Sequence, residues 1–195
     1  MQKSIDLYKD FTPVSMQEEL YKQMLNDRVI YINDDISEET IDKLVIPILI
    51  ANKQEKDTPV KDLKPITIYV NSYGGSADAC LYAIEVIEKS RIPIHCKVMS
   101  MSASAGLYIT VACHHRVASK NSVFLLHKGS ICVQGNMSEA EDIMEFYKES
   151  VGEIFDDLLI RRTNITKSEL KKIRRNETYC LGKEALKYGF IDELV

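Results

Sequence analysis

The chain has 195 residues, 45% of them hydrophobic, which is enough for one sizeable core and for one domain with at most an appendage. Its 25 basic and 29 acidic residues leave a formal charge of −4, so nothing in the composition attracts nucleic acid or an anionic membrane. The cysteines, Cys80, Cys96, Cys113, Cys132 and Cys180, form no C-x-x-C pair and mostly sit among apolar residues, which argues for free buried thiols over a disulfide framework.

The opening residues, M-Q-K-S-I-D-L-Y-K-D, carry no apolar signal core. The longest apolar run, Leu44 to Ala51, is too short to cross a bilayer. The expectation is a soluble, cytoplasmic protein. Residues 1–14 are weakly periodic and read as an arm. Ser15 and Glu18 then form a capping box ahead of a helix from Met16 to Leu25. Val29-Ile30-Tyr31-Ile32 reads as a buried strand, ended by Asn33-Asp34-Asp35. Ser37 caps a helix rich in Ile and Leu, which Pro47 should kink. Residues 53–64 are charged, carry Pro59 and read as an exposed loop.

Ile66 to Val70 is a second strand, and N-S-Y-G-G-S after it opens a helix with Cys80, Ala83, Ile84 and Ile87 on its inner face. Ile94 to Met99 is a third strand. It leads into S-M-S-A-S-A-G-L-Y-I, residues 100–109, where a helix starts near Ser104. Cys113-His114-His115 reads as a surface turn, since adjacent residues rarely point at one ion; no metal site and no cofactor are expected. Short strands follow around Arg116–Ala118 and Val123–Leu126. Strand and helix alternate, so the fold class is α/β with a mostly parallel sheet.

Asn136 and Glu139 box the start of a long helix, on which Ile143, Met144, Tyr147, Val151, Phe155 and Leu158 form an apolar stripe. A stripe that long has to be covered, and a copy of the same chain is the economical candidate. Thr166 and Glu169 cap a shorter helix. Its basic run, Lys171, Lys172, Arg174 and Arg175, reads as a solvated face. In the closing G-K-E-A-L-K-Y-G-F-I-D-E-L, Gly189 stops a last helix.

In an open α/β sheet, sites form outside the carboxyl ends of strands. Two strand ends stand out. One carries Gly74-Gly75, whose backbone amides can converge on a ligand; the other carries the serines. Ser100, Ser102 and Ser104 fit two readings. They are small residues where elements cross closely, or one of them is a nucleophile at a strand-to-helix turn. A nucleophilic serine needs a base. Of the four histidines, His127 alone follows directly on a strand end, in F-L-L-H-K-G.

At this point the chain resembles the family of Clp protease proteolytic subunits, within the wider ClpP/crotonase fold. The resemblance spans about Asp27 to Leu194 and rests on five ordered blocks: D-R-V-I-Y-I, I-T-I-Y-V-N-S-Y-G-G-S, M-S-A-S-A-G-L-Y-I, N-S-V-F-L-L-H and E-A-L-K-Y-G-F-I-D. It implies repeated β-β-α units and a long projecting handle helix, with a handle region at about 128–163. It implies an N-terminal arm and first helix over 1–24, with an axial or gating role, and one serine peptidase domain over 25–195. The family's A-S-M-G pattern matches A-S-A-G and singles out Ser104 as nucleophile, with His127 as base and the amides of Gly75 and Ala105 as oxyanion hole. Its acid, just before an aromatic, matches Glu177 in R-R-N-E-T-Y-C, where the family has Asp. Gly74, Ser76, Lys128 and Gly129 fall at substrate-binding positions. Three further departures are Ser72-Tyr73-Gly74-Gly75 in place of Ser-Pro-Gly-Gly, Lys128-Gly129 after the histidine, and residues 1–24, in which the family's axial-gate motif is not recognisable.

The resemblance further implies polypeptide substrates, heptameric rings stacked into a chamber, and a separate ATP-driven (AAA+) unfoldase, since no P-loop motif occurs in this chain. Other readings are a non-catalytic scaffold subunit of such a ring, a crotonase-like acyl-CoA enzyme, and a phage-type capsid maturation protease.

Overall fold

The computed structural model describes residues 15–130, 135–173 and 176–195. The expected arm over 1–14, Cys132 and the side chains of Arg174 and Arg175 lie outside the described residues.

Helix α1 (Met16–Asn26) starts at the expected capping box: the Ser15 hydroxyl accepts from the Glu18 amide, and the Glu18 carboxylate accepts from the Ser15 amide. Strand β1 (Val29–Ile32) buries Ile30 and Ile32 and exposes Tyr31. Helix α2 (Glu38–Gln54) is capped by Ser37 and runs on through a buried Pro47. A proline there leaves the carbonyl four residues earlier without its amide. That carbonyl belongs to Lys43, and the Tyr21 hydroxyl of α1 donates to it at 3.2 Å. The charged stretch after α2 is less open than its composition suggests. It tightens into a 3₁₀ turn at Val60–Asp62 and buries Leu63.

The chain then alternates β2 (Ile66–Ser72), α3 (Ala77–Glu88), β3 (Ile94–Ala103), α4 (Ala105–Ala112) and β4 (His115–Ala118), with β5 (Val123–Leu126) directly after. An outer helical segment follows: α5 (Met137–Phe146), a π-helical turn (Tyr147–Val151) and α6 (Gly152–Arg162). Helix α7 (Lys167–Ile173), β6 (Thr178–Leu181), α8 (Gly182–Tyr188) and β7 (Glu193–Leu194) complete it, and Gly189 ends α8 at φ 76. The sheet order is β1-β2-β3-β4-β7, all parallel, with β5 parallel to β3 and antiparallel to β6. This is the α/β class expected. Among the described residues, no helix is long and apolar enough to cross a membrane.

Strand β3 serves two neighbours. His95–Val98 pair with β4, and Met101–Ala103 pair with β5. Against β2, Val70 pairs with Val98 but Ser72 pairs with Ser102, so β3 bulges by two extra residues between these rungs. The bulge holds Ser100, exposes Met99, and turns the second half of the strand towards β5. The strand therefore runs to Ala103, four residues beyond the expected end.

Two expectations need correcting. Cys113-His114-His115 is not a surface turn: Cys113 is fully buried and His115 already opens β4. The reason is ladder continuity. The His114 amide donates to the Ile94 carbonyl, and the His114 Nδ1 accepts from the Ile94 amide at 2.9 Å. The apolar stripe on the outer helix is also not all outward. Val151, Phe155 and Leu158 are buried in the core of the same chain, with Phe155 stacked 4.5 Å from Tyr108. Met144, Phe146 and Ile154 remain exposed.

Candidate active site

Ser104 is the turn between β3 and α4. Its backbone is at φ 52, ψ −122, one of two described non-glycine residues with positive φ. Such a conformation costs on the order of 1–3 kcal/mol and persists only where surroundings impose it. Here the Ser104 amide donates to the Leu125 carbonyl of β5 at 2.9 Å, and the Ser104 carbonyl accepts from Leu107. Gly74 presses from the other side: a Cβ there would stand 2.6 Å from the Ser104 Cβ and 3.1 Å from the Ala105 nitrogen. The Ser104 side chain makes no capping bond to α4, so its hydroxyl is not spent on the helix.

Ala105 is the first residue of α4, and an amide at that position has no partner within its own helix. Gly75 forms a parallel bridge with Ile36. The bonds of that bridge run from the Ile36 amide to the Gly74 carbonyl and from the Ser76 amide to the Ile36 carbonyl, each 2.7 Å. In a parallel bridge of this kind the amide of Gly75 faces away from Ile36, towards the open side. Only glycine fits, because a Cβ would lie 2.2 Å from the Ile36 oxygen. The Ser76 hydroxyl caps α3 through the Ala79 amide, so both its polar groups already have partners in the fold.

The parallel pairing of Ala103 with Leu125 brings the next residues of β3 and β5 to the same edge. Ser104 and His127 there line one cavity of about 390 Å³. Its inner floor is Ala105 and Tyr108, one wall is Lys128 and Gly129, and Met144, Tyr147, Val151 and Phe155 of the outer helix roof it. The walls are mostly hydrocarbon, suited to an apolar side chain. The antiparallel ladder of β5 and β6 ends with Leu126 opposite Thr178. His127 and Glu177 are the residues next beyond that last pair, each just outside its strand. Glu177 is exposed just before β6, and His127 is half-buried.

The other candidates for proton transfer are elsewhere. His95 pairs with His115 at the opposite end of β3, on the order of 25 Å from Ser104 by strand rise. Burial pushes both His95 and His114 below the ordinary imidazole range. Among the described residues, Cys80 and Cys180 offer no rival nucleophile. Burial raises Cys80 far above its normal range and Cys180 to about 12, which keeps the reactive thiolate from forming. Cys80 instead donates to the Ala105 carbonyl.

Of the other two serines, Ser100 is exposed in the bulge and Ser102 is structural. Ser102 is buried, with its hydroxyl 2.9 Å from that of Thr110. Gly106 is small for packing rather than for a substrate: a Cβ there would meet the Ser72 Cβ at 3.3 Å.

The family model for Clp protease matches residues 14–195. The chain belongs to the Clp protease family. Among curated relatives, the ATP-dependent Clp protease proteolytic subunit of Deinococcus radiodurans is 24% identical over 91% of this chain and 84% of its own length. Proteolytic subunit 2 of Leifsonia xyli subsp. xyli is 25% identical, covering 92% of this chain and 79% of the relative. Proteolytic subunit 2 of Rhodococcus jostii is 22% identical, covering 93% and 91% respectively. The family match of this Clp protease family member therefore runs from the first helix to the last strand.

Sequence reasoning missed the roof of the cavity. Tyr147, Val151 and Phe155 stand four residues apart, a visible signal, but the spacing gives the face of the helix and not what lies across from it. The contact of Tyr147 with Asp78 had no local signal at all.

Proposed function

We propose that this Clp protease family member is a serine endopeptidase acting on unfolded chains and short peptides. One observation carries the reading: a serine in a strained strand-to-helix turn shares an apolar cavity with the only histidine at that edge of the sheet, beside two outward-facing amides.

In this reading an extended substrate lies along the free edge of Gly75, with the side chain before the scissile bond in the cavity. The Ser104 oxygen attacks the carbonyl carbon while His127 accepts the hydroxyl proton. The developing oxyanion is held by the amides of Gly75 and Ala105, the latter at a helix N-terminus. The C–N bond breaks as the His127 proton passes to the leaving amine, and water then hydrolyses the acyl-enzyme by the same path in reverse. Glu177 orients His127 and supports its imidazolium. Lys128 and Gly129 border the substrate strand, and Gly74 and Ser76 hold Gly75 in place.

The names of the relatives and the exposed Met144 and Phe146 support assembly into rings that enclose the sites, fed by a separate ATP-driven unfoldase. One experiment tests the reading: size the protein, then treat it with a fluorophosphonate. We expect label on Ser104, absent in Ser104→Ala, in a species many times the monomer mass. Wild type that stays unlabelled, in a preparation that is folded, overturns the peptidase and favours a scaffold subunit; label on a monomer overturns the ring.

A further inference from the structure

The roof of the cavity is held down unevenly. At its inner end, Phe155 and Val151 are buried in the core. Towards the tip, residues 141–146 are all exposed, and α5 buries no side chain. The boundary falls at Tyr147, the first residue of the π-helical turn. Its ring lines the cavity, and its hydroxyl crosses to Asp78 in the first turn of α3, donating to both carboxylate oxygens at 2.9 and 2.8 Å. Asp78 follows two residues after Ser76, whose amide secures Gly75 to Ile36. The bond therefore ties the roof of the pocket to the segment that carries one oxyanion amide. A phenol bonded to a carboxylate is among the stronger neutral-to-charged hydrogen bonds. The same bonds hold the Tyr147 hydroxyl above its ordinary range, so the donor proton stays in place through neutral pH.

We propose that Tyr147 and Asp78 form a clamp that fixes the height of the roof over the pocket beside Ser104, and are positioning residues that set which side chain is accepted before the scissile bond. The selectivity rests on the peptidase reading. The cavity of about 390 Å³ also has room for a larger ring, so with the clamp closed the height of the roof decides how closely a leucine-sized group is held. With it open the roof lifts, contacts to that group weaken, and a larger ring loses less.

The test compares wild type, Tyr147→Phe, Asp78→Ala, Asp78→Asn and the double variant Tyr147→Phe/Asp78→Ala. The readouts are cleavage of two fluorogenic peptides that differ only in Leu or Phe before the scissile bond, and amide hydrogen exchange over 144–152. Tyr147→Phe should lower the Leu-to-Phe ratio of kcat/KM about fivefold, or ~1 kcal/mol, chiefly through KM for the Leu peptide. Exchange over 144–152 should rise while that over 155–160 does not. Asp78→Asn keeps a carbonyl acceptor and should recover much of the ratio. The double variant should be no worse than Tyr147→Phe alone. An unchanged ratio, a loss shared equally by both peptides, or additive single effects would overturn the clamp's control of selectivity; unchanged exchange would overturn the clamp itself. A wild type that neither cleaves nor labels would sink the peptidase reading and the selectivity with it, while exchange still decides whether the clamp exists.

Discussion

Gly74→Ala places one methyl group against Ser104, the proposed nucleophile. Its carbon would stand 2.6 Å from the Ser104 Cβ, 3.0 Å from the Ala103 oxygen and 3.1 Å from the Ala105 nitrogen. Carbon atoms rest at about 3.5–4.0 Å, so the first contact is short by about 1 Å. None of these atoms is the end of a flexible side chain. Relief must come from moving either the Gly74-Gly75 segment or the Ser104 turn. A shift of about 1 Å in reacting groups costs on the order of 10²-fold in rate, about 2.7 kcal/mol of barrier. The backbone at φ 108 adds a stability cost of about 1–2 kcal/mol for any residue with a Cβ. We expect a folded protein with a lower melting temperature, a peptidase kcat down about a hundredfold, and fluorophosphonate labelling slowed in proportion. The assay is steady-state cleavage of a fluorogenic peptide, with circular dichroism to confirm the fold. A kcat within about threefold of wild type would refute the contact argument, and with it the role given to the two neighbouring amides.

Glu177→Gln should keep the fold and lower kcat on the order of 10⁴-fold, as for the acid of other triads; a loss below about tenfold in peptide cleavage would mean that another group orients His127. Arg116 grips Asp192 and also donates to the carbonyls of Arg162 and Gly189, joining β4 to the chain's end. Burial works to raise the Asp192 carboxyl, but the hydrogen bonds and charge of Arg116 outweigh it and hold it below the usual carboxylate range. The folded pKa lies below the unfolded one, so this stability is present above about pH 4 and is lost as pH falls through the folded value. Thermal melts of Arg116→Met should show a loss of about 2–3 kcal/mol near neutral pH, less than for a fully buried pair because Asp192 is a third exposed. That deficit should shrink in acid, and a deficit constant down to pH 2 would refute the pairing as its cause.

Much of this architecture could be read in advance because its signals are local. Capping boxes at Ser15, Asn136 and Thr166 appear where the side-chain spacing put them. The Gly-Gly turn and Ser104 fall at strand ends because alternating strands and helices dictate where chain reversals occur. What escaped was set across distance. The expected helix does run through Pro47, but its sequence could not name Tyr21, from another helix, as donor to the carbonyl that the proline leaves open. The bulge in β3 comes from having to meet both β4 and β5, and nothing in M-S-M announces two partners. The stripe on the outer helix showed one apolar face, but burial of Phe155 depends on Tyr108, which periodicity cannot name. Glu177 was placed by its neighbours in the chain alone, and the β5–β6 pairing ends one residue before it, at Leu126 and Thr178.

The strained turn at Ser104 has a bearing on when the chain becomes reactive during folding. The residues that hold it, Gly74 and Leu125, lie about 30 and 20 positions away, and His127 and Glu177 extend the span further. Loops of that length close late relative to helices and neighbouring strands. A nascent chain can form α3 and α4 while residue 104 relaxes into an ordinary turn, because nothing yet opposes it. Only when β5 docks beside β3 does the Leu125 carbonyl capture the Ser104 amide, and the same docking delivers His127. On the proposed roles of Ser104 and His127, the strain and the base arrive together, so a half-folded chain among unfolded neighbours would hold an unarmed serine.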